Sequence, residues 1–395
     1  MAGEFEFHLR TKVCYGAGRS ERIAEDVKAL GCGDRVVLVT DPGLVRLGLA
    51  DSIASSLRSG GLEVVMFDGV QSDPTAASID AAADLIRAAD AGCVVGLGGG
   101  SAMDVAKMAS LVAGAEHPAE HYALLANPFA RRQAATVMIP TTSGTGAEVT
   151  STVVFTNAAG RKVWGWDPQL VPDLAVLDPR LTAALPETLT AATGLDALVH
   201  AIEATAGRRS QPMVRAVGLQ AIRLISENLP RALERPDDLD ARGALCIGAM
   251  LAGLAIEQGG TGLAHCIGHA LGTLARVHHG RAVAIALYHC YNWNIIGHER
   301  IHAEIARAMG AAPSGGGTDE DWAYAGAECF RRLVTDTGLN LNLEGDGLSA
   351  ADAPRFAEVM ASPENAPMRN NNCRYAEDED LARFAGAILG VAATV

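Results

Sequence analysis

Two pairs of metal-ligand side chains, each pair four residues apart, constrain this chain more than any other feature. Asp196 and His200 form one pair, and His265 and His269 form the other. On an α-helix this spacing places both side chains on one face, about 6 Å apart along the axis. One ion could bind both pairs, with His279 approaching from a third segment. The pattern predicts a metal site on helices, although spacing alone does not separate His265 from His269, and any single histidine could be a cap or a surface residue.

Composition predicts a globular chain and argues against several partners. Of the 395 residues, 49% are apolar and 20% are charged, which suits two or three packed domains. The net charge of −14 argues against a nucleic-acid partner. The eight cysteines form no CxxC pair, and such scattered thiols are typical of a reducing cytoplasm. We see no signal peptide, and we expect no membrane span because glycine or charged residues interrupt every long apolar run.

The first half of the sequence alternates short apolar runs with amphipathic stretches. This alternation is typical of an α/β domain with a doubly wound, mostly parallel sheet. The predicted strands are 35–41, 64–67, 93–98 and 137–140, and the predicted helices are 19–30, 44–59 and 75–89.

A glycine turn follows the strand at 93–98. It contains Gly99, Gly100 and Ser101 and leads into a predicted helix. Glycines let a phosphate approach the backbone, and a helix N-terminus offers free N–H groups. The segment is neither GxGxxG nor a Walker loop, and an ordinary turn would use the same residues.

A second loop, rich in hydroxyl groups and glycine, follows the strand at 137–140. Its residues Thr141, Thr142 and Thr145 could hold another part of a dinucleotide, although a flexible loop with a helix cap is the alternative. Asp41 ends the strand at 35–41, where an acid can bind a ribose 2′-hydroxyl and repel a 2′-phosphate. This position favours NAD over NADP, unless Asp41 only caps the helix that begins at Pro42.

The second half of the sequence is predicted to be helical. We place the domain boundary between an α/β domain, 1–181, and an all-α domain, 182–395, and we expect residues 362–375 to be a loop. The predicted helices are 188–206, 212–227, 238–257, 262–275, 282–297, 299–309, 319–337 and 378–389.

Taken together, these motifs resemble the iron-containing, or group III, alcohol dehydrogenase family, in an order and spacing that cover most of the chain. The matching segments are GGGS-x-x-D-x-A-K at 98–107, P-T-T-S-G-T-G-x-E at 140–148, Asp178-Pro179, Leu181-Thr182, Leu185-Pro186, T-G-x-D-A-L-x-H at 193–200, G-x-x-H-x-x-x-H at 262–269 and His279-Gly280. The resemblance implies the dehydroquinate synthase-like architecture, in which a dinucleotide and a divalent metal meet between an α/β and a helical domain.

The resemblance also implies roles for individual residues. The metal ligands would be Asp196, His200, His265 and His279, and His269 would lie near the metal as a proton relay. Fe²⁺ suits this ligand set, and Zn²⁺ fits nearly as well. The implied cofactor contacts are Gly99, Gly100 and Ser101 at the pyrophosphate, Thr141, Thr142 and Thr145 in the second loop, Lys162 beside the ribose, and Asp104 and Leu181. Asp41 joins them because of its position at the end of its strand.

Several residues depart from the family pattern near the expected substrate. Ala204 and Thr205 follow Glu203 where an aromatic residue is common, and His278 replaces a usual proline. Asn371-Asn372-Cys373-Arg374 stands for Thr-Asn-Pro-Arg, and Ile256 and Gln258 occupy pocket positions often held by an aromatic residue and an amide. Since no ligand is lost, these departures concern the choice of substrate.

The predicted activity is reversible hydride transfer between a small alcohol or aldehyde and NAD(H). One alternative is the reduction of a charged, phosphono- or carboxy-aldehyde, for which Arg374 is a candidate anion contact. A second is a dehydroquinate synthase-type lyase, although the segments near the metal offer only Arg276 to bind a phosphate and a carboxylate. The family also implies a homodimer or larger homo-oligomer.

Overall fold

The computed structural model describes residues 4–313 and 315–390. The chain forms two compact units, one of Leu9–Leu185 and one of Pro186–Val395 together with Met1–His8. The domain boundary predicted at 181/182 stays a prediction, and the observed units divide four residues later.

The first unit contains a sheet whose strands are all parallel. In the described residues its order is β1-β8-β5-β4-β2-β3, and β6 and β7 form a separate antiparallel hairpin. The strands are β1 Lys12–Tyr15, β2 Arg35–Val39, β3 Glu63–Phe67, β4 Cys93–Gly98, β5 Ala135–Pro140, β6 Thr152–Thr156, β7 Lys162–Trp166 and β8 Leu174–Leu177.

Helices cover both faces of this sheet. Alternate residues of β2 and β4 pack on opposite sides, with Val37 and Val94 facing one apolar cluster and Leu38 and Val95 facing the other. Because both faces are covered, the central strands β4, β5 and β8 are buried along almost their whole length, whereas the edge strands β1 and β3 are partly exposed. The α-helices of this unit are α1 Ile23–Ala29, α2 Pro42–Arg46, α3 Leu49–Ser59, α4 Ala76–Ala88 and α5 Gly100–Val112.

The second unit is helical, as predicted. Its core joins apolar residues of most of the helices into one cluster. The α-helices are α6 Glu187–Ala206, α7 Pro212–Glu234, α8 Leu239–Gly259, α9 Leu263–Ala275, α10 His279–Ile295, α11 Glu299–Ala308, α12 Asp319–Asp336, α13 Ala353–Met360, α14 Ala366–Asn371 and α15 Asp378–Ile388.

Some sequence predictions were wrong in detail. The predicted loop at 362–375 contains α14, and the predicted helix at 44–59 is divided into α2 and α3 by Gly48, whose φ is 72°. The sequence predicted no membrane span, but helix α8 is long and apolar enough to cross a membrane by length and composition. In its 18-residue apolar window, 61% of the residues are buried inside the protein, as in a core helix.

Candidate metal centre and cofactor loops

The four predicted metal ligands lie on three helices of the second unit. Helix α6 carries Asp196 and His200, α9 carries His265, and α10 begins at His279. One ligand atom from each residue lies within 4.8 Å of every other. The structure therefore brings together, from segments up to 83 residues apart in sequence, the residues that the resemblance selected.

The distances suit a shared ion better than direct hydrogen bonds. The Nε2 atoms of His200 and His265 each lie 3.9 Å from Asp196 Oδ1, and that of His279 lies 3.6 Å from it. Two ligand atoms about 2.1 Å from one ion, at a tetrahedral angle, would lie about 3.4 Å apart. Asp196 Oδ1 and His265 Nε2 are buried and have no hydrogen-bond partner. Since buried polar atoms are rarely left unpaired, these residues fit a cation.

Burial also shifts the pKa values of two of these groups. It raises the pKa of Asp196 to about 7 and lowers the pKa of the His265 imidazole well below its usual range. A neutral imidazole keeps a lone pair for a metal, and a nearby cation favours the charged form of the carboxyl. Desolvation is therefore the cost that a bound divalent ion would offset.

A close helix contact places His279. A Cβ atom on Gly280 would lie 2.2 Å from the carbonyl oxygen of Ala192 and 3.2 Å from Asp196 Cβ. Only glycine lets α10 begin this near to α6, which explains why the histidine is followed by glycine. One turn further along α10, Val283 lies against Gly268 of α9.

The carboxylate of Glu203 holds the opposite edge of His265. Its Oε2 lies 2.6 Å from His265 Nδ1 and accepts the N–H of Gly262 at 2.9 Å, and its Oε1 accepts the N–H of Ala264 at 2.5 Å. Burial raises the pKa of Glu203 to about 7, and the two backbone donors oppose this shift. Glu203 was not among the predicted site residues, although its position seven residues after Asp196 and three after His200 puts it on their face of α6.

His269 and His278 lie near the cluster but outside the set of four. The His269 ring is half-buried, with its centroid 6.4 Å from that of His265 and 5.4 Å from that of His279. His278 is exposed and immediately precedes α10. These positions are compatible with a proton relay at His269, which stays a prediction.

In the first unit, the two predicted cofactor loops touch each other. Paired strands β4 and β5 end at Gly98 and Pro140, so both loops leave the same edge of the sheet. Cβ atoms built on Gly99 and Gly100 would lie 3.5 Å from Thr142 and 2.7 Å from Thr145. Gly98 has a φ of 150° and would place a Cβ 2.7 Å from that of Ala102. The close approach requires small residues, and it forms a cradle between the start of α5 and the threonines.

Asp41 lies at the same edge and does cap a helix. Its Oδ1 accepts the N–H groups of Gly43 and Leu44, at 2.7 and 3.1 Å. Its Oδ2 lies 3.6 Å from where a Cβ on Gly98 would stand. The cap uses only Oδ1, so it is compatible with the predicted ribose contact, which would involve Oδ2.

Three other predicted cofactor residues have partners within the protein. Asp104 accepts the N–H of Val154 at 2.9 Å and lies 3.3 Å from Lys107 Nζ. Lys162 forms a 2.6 Å ion pair with Asp73. Leu181 packs in the core beneath the sheet, whereas Ser101 is half-buried at the start of α5. Direct contacts of these residues with a cofactor remain predictions.

Lys107 holds the base of the second loop. Its ammonium group is fully buried and donates to the carbonyl oxygens of Ala147, Thr150 and Thr152, at 3.0, 3.1 and 2.8 Å. Lys107, the last residue of the GGGS-x-x-D-x-A-K segment, therefore joins α5, which follows the first predicted cofactor loop, to the end of the second.

Arg374, the candidate anion contact, has another role. Its guanidinium group lies over the Trp293 ring, 4.2 Å from the centroid, and donates to the Trp293 carbonyl oxygen at 3.1 Å. These contacts commit Arg374 to packing within the helical unit.

Four clustered residues able to ligate a metal, three of them buried, and two adjoining glycine- and threonine-rich loops are the features expected of a metal- and dinucleotide-dependent oxidoreductase. The family model for iron-containing alcohol dehydrogenase matches residues 10–179, and the model for the C-terminal part of that family matches residues 190–387. The chain belongs to the iron-containing alcohol dehydrogenase family. It is therefore an alcohol dehydrogenase or aldehyde reductase, and the lyase alternative is not favoured.

Relatives in this family act on different small alcohols. The chain is 34% identical to a choline dehydrogenase of Bacillus subtilis, over 91% of this chain and 89% of the relative. It is also 34% identical to a 1,3-propanediol dehydrogenase of Citrobacter freundii, over 94% and 97%, and to an NAD-dependent methanol dehydrogenase of Bacillus methanolicus, over 76% and 78%.

Solved structures show the same fold. A 1,3-propanediol oxidoreductase superposes with a TM-score of 0.90 at 31% identity, covering 98% of this chain and 100% of the other. A sulfoacetaldehyde reductase of Bifidobacterium kashiwanohense, solved in complex with NAD⁺, gives 0.87 at 26% identity, covering 99% and 100%. These likenesses confirm the predicted fold class.

Proposed function

We propose that this enzyme transfers hydride between a small primary or secondary alcohol and NAD, using Fe²⁺ held by Asp196, His200, His265 and His279. The observation that carries the proposal is the buried cluster itself, in which three imidazole nitrogens surround one carboxylate oxygen at 3.6 to 3.9 Å. Three nitrogen ligands and one oxygen ligand suit Fe²⁺ or Zn²⁺, and the family favours iron.

Each side chain of the site then has a distinct task. When bound, the divalent ion supplies Lewis-acid chemistry that favours loss of the substrate hydroxyl proton, and NAD accepts the hydride. Asp196 contributes the negative charge that the three neutral imidazoles lack. We assign the uptake of the proton to His269, one turn beyond His265 on α9, since imidazole ordinarily titrates near neutral pH.

We infer the preference for NAD over NADP from the residues at the carboxyl edge of the sheet. Gly99, Gly100 and Ser101 would present the N-terminus of α5 to the pyrophosphate, and Thr142 and Thr145 would close the cradle. Asp41 would bind the ribose hydroxyls and repel a 2′-phosphate, so we expect NAD to be preferred over NADP. Relatives include an enzyme named as NAD-dependent and one solved with NAD⁺.

A neutral substrate is favoured over a charged aldehyde. Arg374 was the arginine proposed to bind an anionic group, and it instead stacks on Trp293. We further propose a cytoplasmic homo-oligomer. All eight cysteines are free, in agreement with a reducing compartment, and light scattering at several concentrations would test the assembly.

The first test of the function is purification without oxygen, followed by metal analysis and separate reconstitution with Fe²⁺ and Zn²⁺. NAD or NADP is then offered with a panel of alcohols, diols and hydroxy acids, and formation of reduced nicotinamide is followed. We expect metal-dependent formation of NADH. Activity only with charged aldehydes in the reducing direction would favour the alternative substrate class, and activity that survives removal of metal would contradict the proposal.

A further inference from the structure

Glu203 connects the two helices that carry most of the metal ligands. It projects from the same face of α6 as Asp196 and His200, and it is 4% exposed. Its carboxylate reaches across to the first turn of α9, where it contacts the backbone of Gly262 and Ala264 and the side chain of His265. One buried group thus touches both the start of a helix and a ligand on that helix.

The contact between Glu203 and the His265 imidazole affects which ring nitrogen carries the proton and which keeps a lone pair. Glu203 Oε2, which also accepts the Gly262 N–H, lies 2.6 Å from His265 Nδ1, and this contact favours the tautomer in which Nδ1 carries the proton and donates to the carboxylate. The lone pair of the neutral ring is then on Nε2, the atom that points toward Asp196 Oδ1. A carboxylate on the far nitrogen also makes a histidine a stronger ligand.

The contacts with the backbone determine where α9 begins. The first N–H groups of a helix need acceptors from outside it, and Gly262 has no side chain to supply one. Glu203 accepts two of these N–H groups, and Asn372 Oδ1 accepts a third, that of Leu263, at 3.0 Å. A Cβ on Gly262 would lie 2.7 Å from that asparagine oxygen and 3.1 Å from Glu203 Oε1, so glycine is needed for both acceptors to approach.

We infer that Glu203 is a positioning residue for the metal centre. It fixes the tautomer of His265 and the position of the first turn of α9 relative to α6. The inference rests on the proposed metal site and adds a residue that neither spacing nor resemblance assigned. Asn372 provides a natural comparison, because it caps the same helix without touching a ligand.

The test compares Glu203→Gln with Asn372→Ala in the intact chain. Metal affinity is measured by chelator competition with Zn²⁺ and Co²⁺, the visible spectrum of the Co²⁺ form reports ligand geometry, and the Tm of the metal-free protein reports folding. Glutamine places an NH₂ group among N–H donors, so we expect metal affinity to fall about 10- to 100-fold, with an altered Co²⁺ spectrum. Asn372→Ala should lower the Tm, keep the wild-type Co²⁺ spectrum, and change metal affinity less than about threefold.

Glu203→Asp serves if the glutamine variant does not fold. It keeps the charge but is one methylene shorter, so it cannot reach the imidazole and both amides, and the same loss of metal affinity is expected. Wild-type metal affinity in the folded Glu203 variant, or an equal loss in Asn372→Ala, would overturn the inference. Failure of the wild-type protein to bind either ion would instead refute the proposed function, and the inference with it.

Discussion

Gly280 and Ala192 are in closer contact than any residue larger than glycine would allow. The ideal Cβ position of Gly280 is 2.2 Å from the Ala192 carbonyl oxygen, which belongs to the backbone of α6 and cannot rotate away. This contact sets the distance between α6 and the first turn of α10, and therefore between Asp196 and His279.

Gly280→Ala should accordingly push His279 out of the cluster. We expect the unfolding free energy to fall by about 1–3 kcal/mol, as in other overpacked sites, and metal affinity to fall at least about tenfold. Thermal unfolding and chelator competition measure the two effects. Gly345→Ala is the matched control, because a Cβ there meets no atom within 4 Å, and a variant at Gly280 with unchanged metal affinity would contradict the prediction.

Alanine variants at His279 and His269 should separate a ligand from a proton relay. His279→Ala removes one of the four clustered donors, so the variant should lose metal and activity together. His269→Ala should keep its metal and lose roughly 10²- to 10⁴-fold in kcat, the usual contribution of a general acid or base. Metal content and steady-state rates are measured on the same samples. If His269→Ala emptied the site while His279→Ala kept it full, the ligand assignment would be reversed.

Substitution of Asp41 by asparagine should weaken the preference for NAD. Asparagine keeps an oxygen that can accept the Gly43 and Leu44 N–H groups, so α2 stays capped while the negative charge is removed. Since like charges placed together cost several kcal/mol, the ratio of kcat/KM for NAD over NADP should fall at least about tenfold. Asp167→Asn, which changes another helix-capping acid, should leave the ratio unchanged. An unaltered ratio in Asp41→Asn would indicate that Asp41 is only a cap.

His302 should make the protein sensitive to acid. Burial lowers the pKa of this imidazole to about 4, with a smaller contribution from His298. An unfolded histidine titrates near 6.5, so the unfolded state binds the proton more readily between these values. The contribution of His302 to stability is complete above pH 6.5 and is lost as the pH falls toward 4, by up to about 3 kcal/mol.

Comparison with His302→Leu isolates this effect. All other titratable groups are the same in both proteins, so the difference in unfolding free energy between wild type and variant should change with pH only through His302. We expect wild type to lose stability relative to the variant when chemical denaturation is repeated at pH 7.5, 6 and 5. A difference that does not depend on pH would show that His302 is not buried in its neutral form.

The sequence by itself determined the type of fold, the family and the two groups of polar residues. Short apolar runs predicted buried parallel strands, and pairs such as Asp196 with His200 indicated one face of a helix, because these patterns depend only on local periodicity. The resemblance added which of His265, His269 and His279 to choose as ligands. It also pointed to Gly99, Gly100 and the threonine loop as one cofactor site, which the structure shows in contact.

Only the tertiary structure decided the contacts that join distant segments. Glu203 and His265 are 62 residues apart, and Gly280 and Ala192 are 88 apart, so no local pattern connects them. Arg374 and Trp293 are also distant in sequence, so the sequence predicted Arg374 as an anion contact, whereas the structure shows its guanidinium group over the Trp293 ring. Local periodicity determines which face of a helix is polar, whereas the packing of whole helices determines what that face meets.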